Sequence, residues 1–257
     1  MTKAIFFDVD GTLVSFRTHQ ISDAVLDALH RLRAKGIKLF VSTGRHSIML
    51  AQLRALFPFD GWITLSGQHC TCDGQVIYSN PIQRPAVEQL VAATQDNDFS
   101  CIFLESDDIY INRIDQSAQA FTQKLDLPLP PVQHPRRALD GRLYQAIALL
   151  TQEQEGLLLG RAPLLKTTRW HPNFLDVLPA SGGKDKGVDA MLAHFDIPLE
   201  DSMAFGDGEN DLTMLAHVGI GVAMGSASDA VKAAADHTNG TVDEDGILSA
   251  LVKFGLL

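Results

Sequence analysis

The sequence predicts an α/β protein, a doubly wound parallel sheet interrupted by a smaller α+β unit. Three observations carry this. Short apolar runs such as Ala4–Phe7, Lys38–Val41, Trp62–Leu65, Met203–Phe205 and Ile220–Ala223 are too short for helices and read as strands buried on both faces. Helical periodicities alternate with them in the first eighty residues and again after Ser181. Between those stretches the alternation breaks into hairpins and isolated helices.

The first strand, Ala4–Phe7, runs straight into Asp8-Val9-Asp10-Gly11-Thr12. Ligands in open α/β sheets bind at the carboxyl ends of strands, so two carboxylates and a flexible turn stand where chemistry is usual. Taken alone, Asp-X-Asp-Gly fits an acidic surface turn equally well. Val14–Gln20 reads as a loop over the site. Val25, Leu29 and Leu32 then mark a helix with Ser22 as N-cap and Gly36 as its stop. The second strand, Lys38–Val41, ends in Ser42-Thr43-Gly44-Arg45, with a helix expected from there to about Leu56. Amides at such a helix start, with one hydroxyl, suit a phosphate oxygen, and a simple Ser/Thr cap is the competing reading. Trp62–Leu65 forms a third strand. A hairpin turning at Asp73-Gly74 follows.

Residues 84–181 are expected to form the inserted unit, and 1–83 with 182–257 the main fold. The insertion should hold an amphipathic helix on Val87, Leu90, Val91 and Thr94, and a hairpin of Cys101–Leu104 with Ile109–Asn112. A helix over Ser117–Leu125, a Pro-rich connection, a strand over Tyr144–Leu150 and a pair formed by Thr167–Trp170 and Phe174–Leu178 complete it. The doubly wound pattern returns with Ser181-Gly182-Gly183-Lys184-Asp185-Lys186-Gly187 opening a helix. Met203–Phe205 then leads into Gly206-Asp207-Gly208-Glu209-Asn210-Asp211, where Leu212 starts the next helix, and a last amphipathic helix ends near Phe254.

Composition removes several function classes. With 257 residues and 46% apolar content the chain can bury a full core. A net charge of −10 argues against nucleic acid and anionic membranes as partners. No apolar run approaches a membrane span, and the segment after Lys3 is too short for a signal peptide. Three cysteines suit a reduced cytoplasm, and Cys70 and Cys72 lack the second pair that a metal site needs.

The loops at the predicted strand ends supply Asp8 and Asp10, then Thr43, Lys184, and Asp207 with Asn210 and Asp211. Converging carboxylates want a cation, and an oxygen-only set favours Mg²⁺ over Zn²⁺. Thr43 and Lys184 want an anion, so metal and phosphate together read as phosphoryl transfer. A carboxylate about 4 Å from a phosphate dianion meets roughly 8 kcal/mol of repulsion at an effective dielectric near 20. Attack by Asp8 therefore needs Mg²⁺ and Lys184 to neutralise that charge, leaving Asp10 to carry a proton to the leaving oxygen.

These residues resemble the haloacid dehalogenase superfamily of phosphatases, and within it the Cof-type sugar phosphatases with a large cap. The resemblance rests on Asp8-Val9-Asp10-Gly11-Thr12, Ser42-Thr43-Gly44-Arg45, a lysine before a helix, and Gly206-Asp207-Gly208-Glu209-Asn210-Asp211, in that order along the whole chain. It implies a Rossmann-like core, an aspartyl-phosphate on Asp8, and Asp10 as acid/base. It also implies Mg²⁺ on Asp8, Asp207 and the Asp10 carbonyl, with Asp211 supporting metal or lysine from behind. Thr43, Gly44, Arg45, Lys184 and Asn210 would hold the phosphoryl group, and Arg169 and His171 of the cap would reach a hexose phosphate. Spacing to Asp207 selects Lys184 over Lys186. The implied partner is a small phosphate monoester, for a monomer or small homo-oligomer. A phosphotransferase or mutase, a silent phosphate-binding protein and a receiver-type domain are the rival readings; release of free phosphate to water discriminates against the first, and a long-lived phosphoprotein would argue for the last.

Overall fold

The computed structural model describes residues 2–125, 127–160 and 162–257, with Trp170 described in its backbone alone. It divides into two compact units: the chain up to Ser79 together with Gly183–Leu257, and Asn80–Gly182.

The first unit begins with β1 (Ala4–Phe7), all of it buried. Then comes α1 (Asp23–Ala34), whose first turn is capped by Ser22 Oγ accepting from Val25 N at 3.2 Å. After β2 (Lys38–Ser42) the chain departs from expectation. The helical segment begins as a 3₁₀ turn at Ser47–Leu50, capped by the His46 ring, and continues as α2 (Ala51–Leu56). Thr43-Gly44-Arg45 is therefore a loop and not a helix N-terminus. β3 (Gly61–Thr64), β4 (His69–Cys72) and β5 (Gln75–Ser79) follow, the last two joined by the expected Asp73-Gly74 turn.

The second unit contains α3 (Arg84–Asp96), β6 (Cys101–Glu105), β7 (Ile109–Ile111), α4 (Gln116–Leu125), β8 (Leu143–Ala148), a one-turn α5 (Gly156–Leu159), β9 (Leu165–His171) and β10 (Phe174–Pro179). Its antiparallel sheet runs β7-β6-β8-β10-β9. Phe103, Ala146, Leu175 and Val177 pack on Val87, Leu90 and Val91 of α3. The Pro-rich connection holds a 3₁₀ turn, Pro135–Leu139, started by a proline whose fixed φ suits a first helical position.

Back in the first unit, α6 (Lys184–His194), β11 (Ser202–Gly206), α7 (Leu212–Leu215), β12 (Ile220–Ala223), α8 (Asp229–Ala234), β13 (His237–Thr238) and α9 (Gly246–Lys253) complete the chain. The sheet order is β13-β12-β11-β1-β2-β3-β4-β5, parallel from β13 to β3 and antiparallel at β4 and β5. Ile5 and Phe7 enter one apolar cluster with residues of α1 and α9, and Ala4 and Phe6 enter another with residues of α6. A strand covered on both faces shows in sequence as an unbroken apolar run, which is how β1 was found. The chain moves from β1 to β2 on one side and returns to β11 on the other, so β1 is the topological switch point.

Cys70, Cys72 and Cys101 are free and buried. Cys70 packs in the core and Cys72 Sγ donates to the Asp60 carbonyl at 3.2 Å, as expected of packing residues. Among the described residues, no helix is long and apolar enough to cross a membrane.

Candidate active site

Asp8 follows β1 at the switch point and is almost fully buried. Lys184, the first residue of α6, is completely buried, and its ammonium donates to Asp8 Oδ1 at 2.6 Å, Asp211 Oδ1 at 2.6 Å and the Ser42 carbonyl at 2.8 Å. All three ammonium protons thus have acceptors. Gly67 makes this approach possible. Its φ is +95°, and a Cβ there would lie 2.0 Å from the Gly183 carbonyl, just ahead of Lys184. Lys186 instead extends toward solvent and pairs with its neighbour Asp185 at 3.1 Å.

Asp207 follows β11. Its Oδ1 accepts from Thr12 Oγ1 at 2.9 Å. Gly11 gives it room: φ is +85°, and a Cβ there would fall 2.3 Å from Asp207 Oδ2. Asp211 is wholly buried, with Oδ1 on Lys184 and Oδ2 taking the amides of Asp207 at 3.0 Å and Gly208 at 2.9 Å. It therefore shapes the loop that carries Asp207 and anchors the lysine. Asn210 lies in the same short 3₁₀ turn, its Oδ1 above Gly208.

Thr43 is buried, and its Oγ1 accepts from Arg45 N at 3.1 Å, which leaves the hydroxyl proton to donate elsewhere. Arg45, expected on the phosphoryl group, has its guanidinium on Asp10: Nε to Oδ2 at 2.8 Å and Nη2 to Oδ1 at 2.5 Å. Sequence reasoning missed this pairing, since nothing local links two residues so far apart.

The electrostatics call for a cation. One carboxylate oxygen from each of Asp8, Asp207 and Asp211 lies within 4.8 Å of the other two. Burial, reinforced by Asp211, pushes the Asp207 carboxyl up to about 7. Burial followed by Asp211 also holds Asp8 well above the usual carboxylate range, with Lys184 opposing. For Lys184, burial favours the neutral amine, but Asp211 and Asp8 overcome it and the ammonium is raised above its ordinary value. Four carboxylates (Asp8, Asp10, Asp207, Asp211) meet two cations, Lys184 and Arg45. A divalent ion would cancel the remaining two negative charges. An oxygen-only donor set around a space kept clear by Gly11 fits Mg²⁺.

This charge excess has a measurable consequence. Asp8 and Asp207 hold protons in the folded protein at pH values where the unfolded chain has released them. Their contribution to stability is full below the unfolded carboxyl pKa and is lost as pH rises through about 7 for Asp207. Metal-free protein should therefore melt at lower temperature from pH 5 to pH 8. Saturating Mg²⁺ should raise the melting temperature increasingly over that interval, by roughly 5 to 10 °C at a hundredfold excess over its Kd. A Mg²⁺ shift that is absent, or the same at every pH, would remove these two carboxyls from the metal site.

In the second unit, Arg169 of β9 pairs with Leu175 and so faces the α3-covered side of the sheet. Its Nη1 donates to the carbonyls of Leu150, His171 and Pro172 at 3.0, 3.2 and 3.1 Å, and Nη2 meets Glu155 Oε2 at 3.1 Å. His171 stacks on Phe174, and its Nδ1 accepts from Asn173 N at 3.2 Å. Arg169 thus braces the β9–β10 turn. Arg169→Ala should cost about 2 kcal/mol or more, read by thermal or urea melting, because charged hydrogen bonds are lost and carbonyls are stranded. Unchanged melting with a loss confined to hexose phosphates would instead make Arg169 a substrate contact.

Comparison with known proteins agrees with this architecture. The haloacid dehalogenase-like hydrolase family matches residues 5–251. A solved subclass IIB sugar phosphatase of that superfamily is 39% identical with a TM-score of 0.92, covering 100% of both chains. A chain solved in work on a trigonal-bipyramidal intermediate in a phosphoryl-transfer superfamily is also 39% identical, with a TM-score of 0.95 and 100% of both chains covered. YkrA of Bacillus subtilis is 30% identical over 100% of this chain and 99% of its own. The chain belongs to the haloacid dehalogenase-like hydrolases. It is an enzyme of the phosphatase class within that superfamily.

Proposed function

We propose that this protein hydrolyses small phosphate monoesters, sugar phosphates foremost, through an aspartyl-phosphate on Asp8 in a Mg²⁺-dependent reaction. The observation that carries the reading is the buried Lys184 ammonium 2.6 Å from Asp8 Oδ1, with Asp207 alongside. Asp8, Asp207 and the backbone carbonyl of Asp10 would hold Mg²⁺. When bound, the ion supplies charge neutralisation that lets an anionic nucleophile approach an anionic phosphoryl group.

The chain's own residues do the rest. Asp8 Oδ attacks phosphorus, and the bond to the leaving oxygen breaks as Asp10 delivers a proton to it. Asp10 then takes a proton from water, which attacks the acyl phosphate and restores Asp8. Lys184, the Thr43 hydroxyl, the loop amide at Gly44 and Asn210 stabilise the phosphoryl oxygens. The Asn80–Gly182 unit sets specificity, because the groups just named engage only the phosphoryl end and cannot tell one ester from another. The small acidic substrate and the free thiols suit a cytoplasmic enzyme.

A screen of phosphorylated metabolites for free phosphate, with and without Mg²⁺, tests the reading. Hexose phosphates should be among the best substrates. Phosphate passed to a sugar hydroxyl without release to water would replace hydrolysis with phosphotransfer, and no turnover of any ester would end the proposal.

A further inference from the structure

We infer that Arg45 is a positioning residue for Asp10 and does not act as a ligand of the phosphoryl group. The inference rests on the reading of Asp10 as acid/base and deepens it. Both Asp10 carboxylate oxygens are engaged by one guanidinium, at 2.8 and 2.5 Å. A planar fork on a planar carboxylate sets the plane and rotamer of Asp10, which a point charge would not do. Arg45 is itself held by its backbone: its N–H bonds Thr43 Oγ1 at 3.1 Å, and its carbonyl accepts from Leu65 N at 3.2 Å. Thr43 is tied to β3 and to the turn that follows it, through Thr43 N to Ile63 O at 2.9 Å and Ser66 N to Thr43 O at 3.0 Å. The strand ends after β2 and β3 therefore aim Arg45, and Arg45 aims Asp10. Both side chains are about one-third exposed, 32% and 30%.

Two esters separate orientation of Asp10 from binding of phosphate. The alkoxide leaving from glucose 6-phosphate needs a proton as it departs, whereas the phenolate leaving from p-nitrophenyl phosphate needs little help. kcat/KM counts only the transfer to Asp8, so later hydrolysis does not blur the comparison. Arg45→Ala should lower kcat/KM for glucose 6-phosphate about tenfold or more beyond its effect on the aryl ester. Arg45→Lys, which keeps charge but cannot fork, should show the same selective loss and serves if the alanine variant is unstable. In an Asp10→Asn background, Arg45→Ala should add nothing on either ester.

Equal losses on both esters, or additive losses in the double variant, would make Arg45 a phosphoryl ligand and overturn the inference. If Asp10→Asn alone fails to discriminate between the esters, the acid/base reading falls and takes the inference with it. If Asp10→Asn discriminates and neither Arg45 variant does, the inference alone falls.

Discussion

Asp8→Asn should leave a folded protein with turnover reduced roughly 10⁴-fold or more, because the group that forms the covalent bond is gone. Asn matches Asp in shape, and its amide oxygen can still accept from Lys184, which now donates to Asp8 Oδ1 at 2.6 Å. The variant loses one of the carboxyls whose ionisation burial and Asp211 resist. Metal-free Asp8→Asn should therefore melt at the wild-type temperature or above it near neutral pH, since a neutral amide removes the cost of keeping a buried carboxyl protonated where the unfolded chain ionises it. Phosphate release and a melting curve on the same preparation check both halves. Substantial phosphatase activity in the folded variant would sink the covalent mechanism.

Legibility in the sequence follows the range of the interactions. Strands buried on both faces, β1 above all, print themselves as apolar runs. Ser22 announces α1 because a hydroxyl cap is a local device. Asp8 and Asp10 were found because they are neighbours in sequence. Other features depend on contacts that no local pattern encodes. The α2 segment starts late because its cap is His46, a residue type that does not advertise a helix start. β13 has two residues, His237 and Thr238, and no apolar run to betray it. The Arg45–Asp10 fork joins the ends of two adjacent strands, so only the sheet order reveals it. The bracing of Arg169 is equally non-local: its register with Leu175 turns it to the covered face, where three carbonyls and Glu155 hold it.

Lys184→Ala should cost on the order of two decades or more in rate, while Lys186→Ala should change it less than about twofold. The two lysines are two residues apart on α6 and differ in everything that matters for catalysis. Lys184 Nζ is fully buried between Asp8 and Asp211, its third proton on the Ser42 carbonyl. Removing it leaves two buried carboxylates without their shared cation, the situation in which breaking an ion pair is most costly. The stability loss should be greatest where both carboxylates are ionised, so the melting temperature of Lys184→Ala should fall further below wild type at pH 8 than at pH 5. Mg²⁺ should restore part of that stability by supplying positive charge to Asp8, one of the two stranded carboxylates, but not the rate, because an ion on Asp8 and Asp207 cannot also occupy the position of the ammonium. Lys186 has its ammonium near solvent, paired with Asp185, and exposed pairs contribute little. Steady-state rates on p-nitrophenyl phosphate, with melting curves at the two pH values, decide the matter. A severe loss in Lys186→Ala beside a mild one in Lys184→Ala would move the phosphoryl site one half-turn along α6 and displace Lys184 from the reaction.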